Sequence, residues 1–256
     1  MSVPALRIVI RINNNFPEAA DQLPRFGRIS AKLCPSGALL GDLGKMTFRH
    51  VAACLGAALI LSLPNLAEAC TRAVSKTAAQ TMVPASRIDQ SMLENAIRVE
   101  VNYHRCRAGL RAVGDAGNSL AKEAQKHSIW MAKTQQLTHR STVPGAATLR
   151  QRVRNAGLRV RTGSENIGMV HRYQIDNRRF RILNASSCQF ATYEGQRLPA
   201  HSYASLARHV VALWMDSPGH RANILDRDVS KMSAAVAFDP NAQYCGRFWV
   251  TQNFIG

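Results

Sequence analysis

Ser217-Pro218 divides what would otherwise be one long helix. Before it, Leu206, Val210, Leu213 and Trp214 recur at helical spacing. Proline has no backbone N–H and fixes φ, so it cannot continue that helix but fits the first position of a new one. Serine just before it can accept a bond from an orphan amide as N-cap. The sequence Trp214-Met215-Asp216-Ser217-Pro218-Gly219-His220-Arg221-Ala222-Asn223-Ile224-Leu225 therefore predicts a helix, a corner and a second helix. His220 falls in the first turn of that second helix. The positive end of a helix disfavours imidazolium, so His220 is expected neutral, with a ring nitrogen free for a metal ion or a proton.

The rest of the pattern runs from helices to strands. Leu93, Ile97 and Val101 mark a first helix that passes through Asn102-Tyr103-His104-Arg105 and stops at Gly109. Asn118 or Ser119 caps a second, with Leu120, Ala124, His127, Ser128 and Met131 on one stripe. A third covers about 146–156 and stops at Gly157. Ala234–Phe238 and Arg247–Phe254 read as two strands around the turn Asp239-Pro240-Asn241. This order is α+β rather than βαβ. Residues 169–200 are polar and basic and read as a long insertion.

The chain has 256 residues, and its amino-terminal quarter reads as targeting sequence. Met46-Thr47-Phe48-Arg49-His50 is a short basic segment, and Val51–Leu63 is a 13-residue apolar run. Pro64 ends that run, and Ala67-Glu68-Ala69 is a small-x-small cleavage site. A spanning helix needs about 20 apolar residues. Residues 46–69 are thus expected to be a secretory signal, with Met46 the functional start and residues 1–45 unassigned. No transmembrane segment is expected once it is removed.

The expected exported chain starts at Cys70. Of the 33 basic and 16 acidic residues, 7 and 4 lie in residues 1–69, which leaves residues 70–256 at +14. That balance suits anionic partners such as cell-wall polymers or acidic lipids. Nucleic acid is excluded as a partner by export and by the lack of interleaved aromatic and basic residues. Four cysteines remain, Cys70, Cys106, Cys188 and Cys245. An even number in an oxidising compartment predicts two disulfides. Three pairings exist; Cys188–Cys245 with Cys70–Cys106 is favoured, the latter tying a flexible arm, residues 70–90, to the first helix.

Three segments place a titratable side chain just outside an element: Thr138-His139, Glu165-Asn166 and Gly219-His220. Two imidazoles and a carboxylate suffice for a three-ligand metal site with an open position, or for acid–base work on a bound water. No GxSxG elbow supports Ser141 as a nucleophile. Trp214 and Trp249 are expected in the core, Asn223 on local backbone, Arg105 in an ion pair, and His171, His201 and His209 at the surface.

Six motifs in order carry a resemblance. They are Asn102-x-x-Arg105, Ala124-x-x-His127, His139, Glu165-Asn166-Ile167-Gly168, Trp214-Met215-x-Ser217-Pro218-x-His220-Arg221-x-Asn223-Ile224, and Trp249-Val250-Thr251-Gln252-Asn253-Phe254. This order resembles the bacterial branch of the CAP superfamily, which comprises cysteine-rich secretory proteins, antigen 5 and plant pathogenesis-related 1 proteins. The resemblance spans about residues 91–256. It implies a three-layer α-β-α sandwich with a C-terminal antiparallel hairpin. It also implies an open cleft lined by His139, Glu165 and His220, with His139 and His220 able to hold Zn²⁺ or another divalent cation. Glu165 is the candidate catalytic base in a metal-assisted hydrolase, which is the alternative to a lipid- or envelope-ligand-binding module and to a structural module of the envelope. Where animal and plant members carry a second cleft glutamate this chain has Ser217, and the glycine usual near Ser233 is missing. A monomer, secreted or periplasmic, is expected.

Overall fold

The computed structural model describes residues 70–256, so the expected secretory signal, residues 46–69, and the unassigned residues 1–45 lie outside the described part. Helix α1 (Lys76–Gln80) is followed by α2 (Gln90–Arg107), β1 (Gly114–Asp115), α3 (Asn118–Thr134) and α4 (Leu149–Asn155). Then come β2 (Gly163–His171), β3 (Arg181–Asn184), β4 (Gln189–Ala191) and β5 (Arg197–Leu198). The chain closes with α5 (Tyr203–Asp216), α6 (Pro218–Ile224), β6 (Lys231–Asp239) and β7 (Arg247–Ile255).

Four strands form the main sheet in the order β1-β6-β7-β2. β6 and β7 pair antiparallel along their whole length, and β2 extends the sheet antiparallel to β7. β1 adds a short parallel edge. Side chains alternate across a strand, so each face of this sheet takes every second residue. Met232, Ala234, Val236, Phe248, Val250 and Phe254 face α2 and α5, where they meet Leu93, Ile97, Leu206, Val210 and Trp214. The intervening residues face α3 and α4: Trp249 meets Met131, Ile255 meets Leu120 and Val153, and Ser128 Oγ donates to Thr251 Oγ1. Helices therefore cover both faces of an α+β sandwich.

Local chemistry sets the helix ends. Asp89 accepts from the Met92 amide and Ser202 from the Ser205 amide, and Thr148 with Gln151 forms a reciprocal capping box on α4. α5 buries Leu206, Val210 and Trp214 almost completely, each contributing about 1.5–3 kcal/mol over exposure. Gly168 lets α5 approach β2 closely: a Cβ there would lie 3.2 Å from Trp214 Nε1, which donates to the Ile167 carbonyl.

The two disulfides join Cys70 to Cys106 and Cys188 to Cys245. Several expectations change. Residues 70–90, read as a flexible arm, are packed: they contain α1 and bury Ala78 and Val83. Gly117, not Asn118 or Ser119, caps α3, with φ 92° and no side-chain bond. The third helix begins at Leu149 rather than at 146. The insertion starts after His171, because Met169–His171 continue β2. It also has its own three-stranded sheet, β3-β4-β5, on a small core of Ile175, Phe180, Phe190 and Leu198. Among the described residues no helix is long and apolar enough to cross a membrane.

Candidate functional site

Glu165 sits inside β2, not beside an element, and its side chain is buried. A buried carboxylate needs partners for its charge. Oε2 accepts from Arg152 Nη2 at 2.6 Å, and Oε1 accepts from His139 Nδ1 at 2.9 Å. Burial pushes the Glu165 pKa up, but the Arg152 guanidinium, the His139 hydrogen bond and the nearby imidazoles outweigh it and hold the carboxyl below its ordinary range. Both oxygens are thus engaged by neighbouring side chains.

Arg152 is the hub that sequence reasoning missed. It is 1% exposed on α4. Besides Glu165, its guanidinium donates to the carbonyls of Ala146, Ala147 and His139. One side chain therefore fixes the loop after α3, the backbone of His139 and the carboxylate that orients the His139 ring. Ser141 belongs to the same loop, where its Oγ donates to the Ala146 carbonyl.

With Nδ1 bonded to Glu165, His139 presents Nε2, which is buried and has no partner. This is the arrangement in which a carboxylate fixes the tautomer of an imidazole and leaves the other nitrogen open.

His220 is brought to the same site by α6. Pro218 is its first helical residue, as the sequence predicts, but Ser217 makes no side-chain cap bond and its buried Oγ has no partner. A ladder of amides ties α6 to the sheet. Asn223 Nδ2 donates to the Glu165 carbonyl and to Asn166 Oδ1. Asn166 Nδ2 donates to Gln252 Oε1 and to the His220 carbonyl. Asn223 therefore reaches across to β2 rather than to local backbone. His220 Nε2 is buried and unpartnered, like that of His139. Burial first, then the charge of His139, pushes its pKa down to about 4. The ring is neutral at pH 7, as expected, but because it is buried rather than because it stands at a helix end.

His127 lies behind this pair. Its Nε2 donates to the Thr138 carbonyl and stands 3.9 Å from Glu165 Oε1, too far for a hydrogen bond. Burial drives it down to about 4 despite Glu165. Arg105, expected in an ion pair, instead donates to the carbonyls of Arg111, Ile224, Asp226 and Val229. Trp214 and Trp249 are core residues.

His171 and His201 are buried, not at the surface. His171 Nδ1 donates to Asp176 Oδ1 at 2.6 Å, and Arg247 donates to its Nε2. His209 stands 3.7 Å from the same aspartate. This second cluster anchors the start of the insertion to β7.

Among the described residues no group of three or more His, Cys, Asp or Glu side chains is arranged to hold a metal ion. The three-ligand reading of His139, Glu165 and His220 fails because Glu165 is bound to Arg152 and His139. Two imidazole Nε2 atoms, of His139 and His220, remain buried and without a hydrogen-bond partner.

A search of curated proteins by sequence finds no match. Similar solved structures include an extracellular protein containing an SCP domain from Bacillus anthracis, with 21% identity over 65% of this chain and a TM-score of 0.42. Another is an outer surface protein from Borrelia burgdorferi, with 14% identity over 67% of this chain and 98% of its own, TM-score 0.45. A cysteine-rich secretory protein from Staphylococcus aureus gives 15% identity over 68% of this chain and 40% of its own, TM-score 0.40. The chain spans 41% of the length of the Bacillus anthracis protein. The model of the CAP, or cysteine-rich secretory protein, family matches residues 99–254, which cover β2, α6, β6 and all the side chains of the site, and the chain belongs to that family.

Proposed function

We propose that this chain is an exported binding module and that its ligand docks at His139 and His220. The observation that carries this reading is the pair of buried ring nitrogens, each with its Nε2 unpartnered. Such atoms cost free energy when left unpaired, so a ligand or a cation that pairs them is favoured. A divalent ion such as Zn²⁺, when bound, would supply a charge to which an anionic headgroup or carboxylate attaches. The chain's own residues do the positioning: Glu165 and Arg152 orient His139, and Asn166 with Asn223 holds the turn carrying His220. The ligand class suggested by the family resemblance is a lipid or another envelope component.

A metal-assisted hydrolase would ask Glu165 to accept a proton from bound water. Its oxygens are engaged and its pKa is held below the ordinary carboxylate range, which makes it a poor base and favours an orienting role. Export is supported by the two disulfides, which persist in oxidising compartments.

Native mass spectrometry of the protein taken from the cells that make it tests this reading. The expected spectrum shows bound zinc or an extractable small molecule in excess of the chain mass, and less of it in His220→Ala. A ligand-free spectrum that stays unchanged after incubation with zinc contradicts it.

A further inference from the structure

The small sheet of the insertion has an edge that faces solvent on both sides. Ile182 and Leu183 are consecutive on β3, where its pairing with β4 is irregular, and each is 50% exposed. β3 is the outer strand, paired only to β4. Arginines surround this apolar rim. Arg179 and Arg181 lie over the exposed ring of Tyr193, at 4.9 and 5.2 Å from its centroid, and Arg197 is exposed on β5. Arg197 bonds Gln189, and among the described residues none of these three guanidinium groups makes a contact ion pair.

The edge is also rigid. The Cys188–Cys245 bridge fixes the turn after β3 to the turn before β7. Edge-to-face contacts among Phe180, Phe190 and Tyr244 fill the core beneath it. A partner can therefore bind it without ordering the segment first.

We infer that the β3 edge is a docking surface for an anionic lipid bilayer, with Ile182 and Leu183 entering the acyl boundary and the arginines meeting the headgroups. Charge complementarity selects the partner, since Arg179, Arg181 and Arg197, with Glu194 the acidic group that Arg181 acts on, stand on a chain of strongly positive net charge and attract a negative surface. The apolar pair selects a bilayer over a soluble polyanion, because a polyanion offers nothing to bury two half-exposed aliphatic side chains. Tyrosine is favoured at the same depth, where its ring is buried and its hydroxyl stays wet. The inference concerns a surface separate from the His139–His220 site and stands independently of that reading.

Emission from Leu183→Trp in the full chain, after subtraction of the parent chain's signal, tests it. Vesicles of phosphatidylcholine with one part phosphatidylglycerol in three (roughly the anionic surface intended) are expected to shift that emission to the blue, and brominated lipid is expected to quench it. Pure phosphatidylcholine is expected to give neither change. Adding Arg179→Ala and Arg181→Ala should raise the lipid concentration for half-shift by about fivefold per arginine, and salt should raise it further. The readout is local to position 183, so other segments do not produce it, and chelator in the buffer removes any zinc contribution. An unshifted emission with anionic vesicles overturns the inference. So does a shift with a soluble polyanion that matches the one with vesicles, which would make the edge a polymer site.

Discussion

Replacing Arg152 by methionine is expected to lower the free energy of unfolding by about 3–5 kcal/mol, the range for removing one partner of a buried ion pair. Methionine keeps much of the arginine's volume, so the loss is not mainly one of packing. It comes from leaving the Glu165 carboxylate inside the protein without its guanidinium, and from freeing the Ala146, Ala147 and His139 carbonyls that Arg152 caps. Urea unfolding at pH 7 measures it. The double variant Arg152→Met/Glu165→Leu is expected to recover most of the loss, because it removes both charges together. A single-variant loss under about 1 kcal/mol, the scale of an exposed pair, would mean that Arg152 is not the hub described.

Acid is expected to destabilise the fold steeply between pH 6.5 and 4.5. His127, His201 and His220 ordinarily take a proton near 6.5, but in the folded protein burial pushes each down to about 4. Below 6.5 the unfolded chain therefore binds protons that the folded chain refuses. The stability these rings give is fully present above 6.5 and is lost as the pH falls towards 4. Glu94 acts in the opposite sense. Burial, then Asp115, raises it from 4.5 to about 7, so the folded chain binds its proton first and gains stability as the pH falls from 7 to 4.5. Three protons against one, with His104 and His209 also held below their ordinary value, leave a net loss of stability as the pH falls through this window. Glu165 and Asp176 are both held below their ordinary values by their partners despite burial, which continues the loss below 4.5. A urea series from pH 7 to 4.5 shows the slope, and Glu94→Gln is expected to steepen it. A stability that stays level or rises on acidification contradicts the burial of these rings as described.

The α+β order was legible because periodicity reports which face of an element is buried. α2, α3 and α5 each bury a stripe, and β6 and β7 are apolar enough to show as strands. β2 was not legible as a strand. Its first half holds Ser164-Glu165-Asn166, and Glu165 and Asn166 are tolerated in a buried strand only through partners on α4, α6 and β7 that lie far away in the chain. Strands β3, β4 and β5, of four residues or fewer, are too short to show a period.

The site divides in the same way. His139, Glu165 and His220 stand out because each is a rare residue type at an element boundary or in a motif. Arg152 does not, since Arg150 and Arg154 flank it on the same seven-residue helix and only the fold turns one of the three inward. The carboxylate was read as a third ligand because sequence does not reveal that its oxygens are already taken. Burial, which sequence reports poorly for polar residues, also places His171 and His201 inside the protein rather than at the surface.

Zinc titration of the parent chain, His139→Ala, His220→Ala and the double variant tests the shared site most directly. Each single variant is expected to weaken binding at least about tenfold, and the double variant to weaken it little further, because one imidazole alone already fails to hold the ion. If either single variant binds zinc as the parent does, or the two losses simply add, the two rings do not act on one ion.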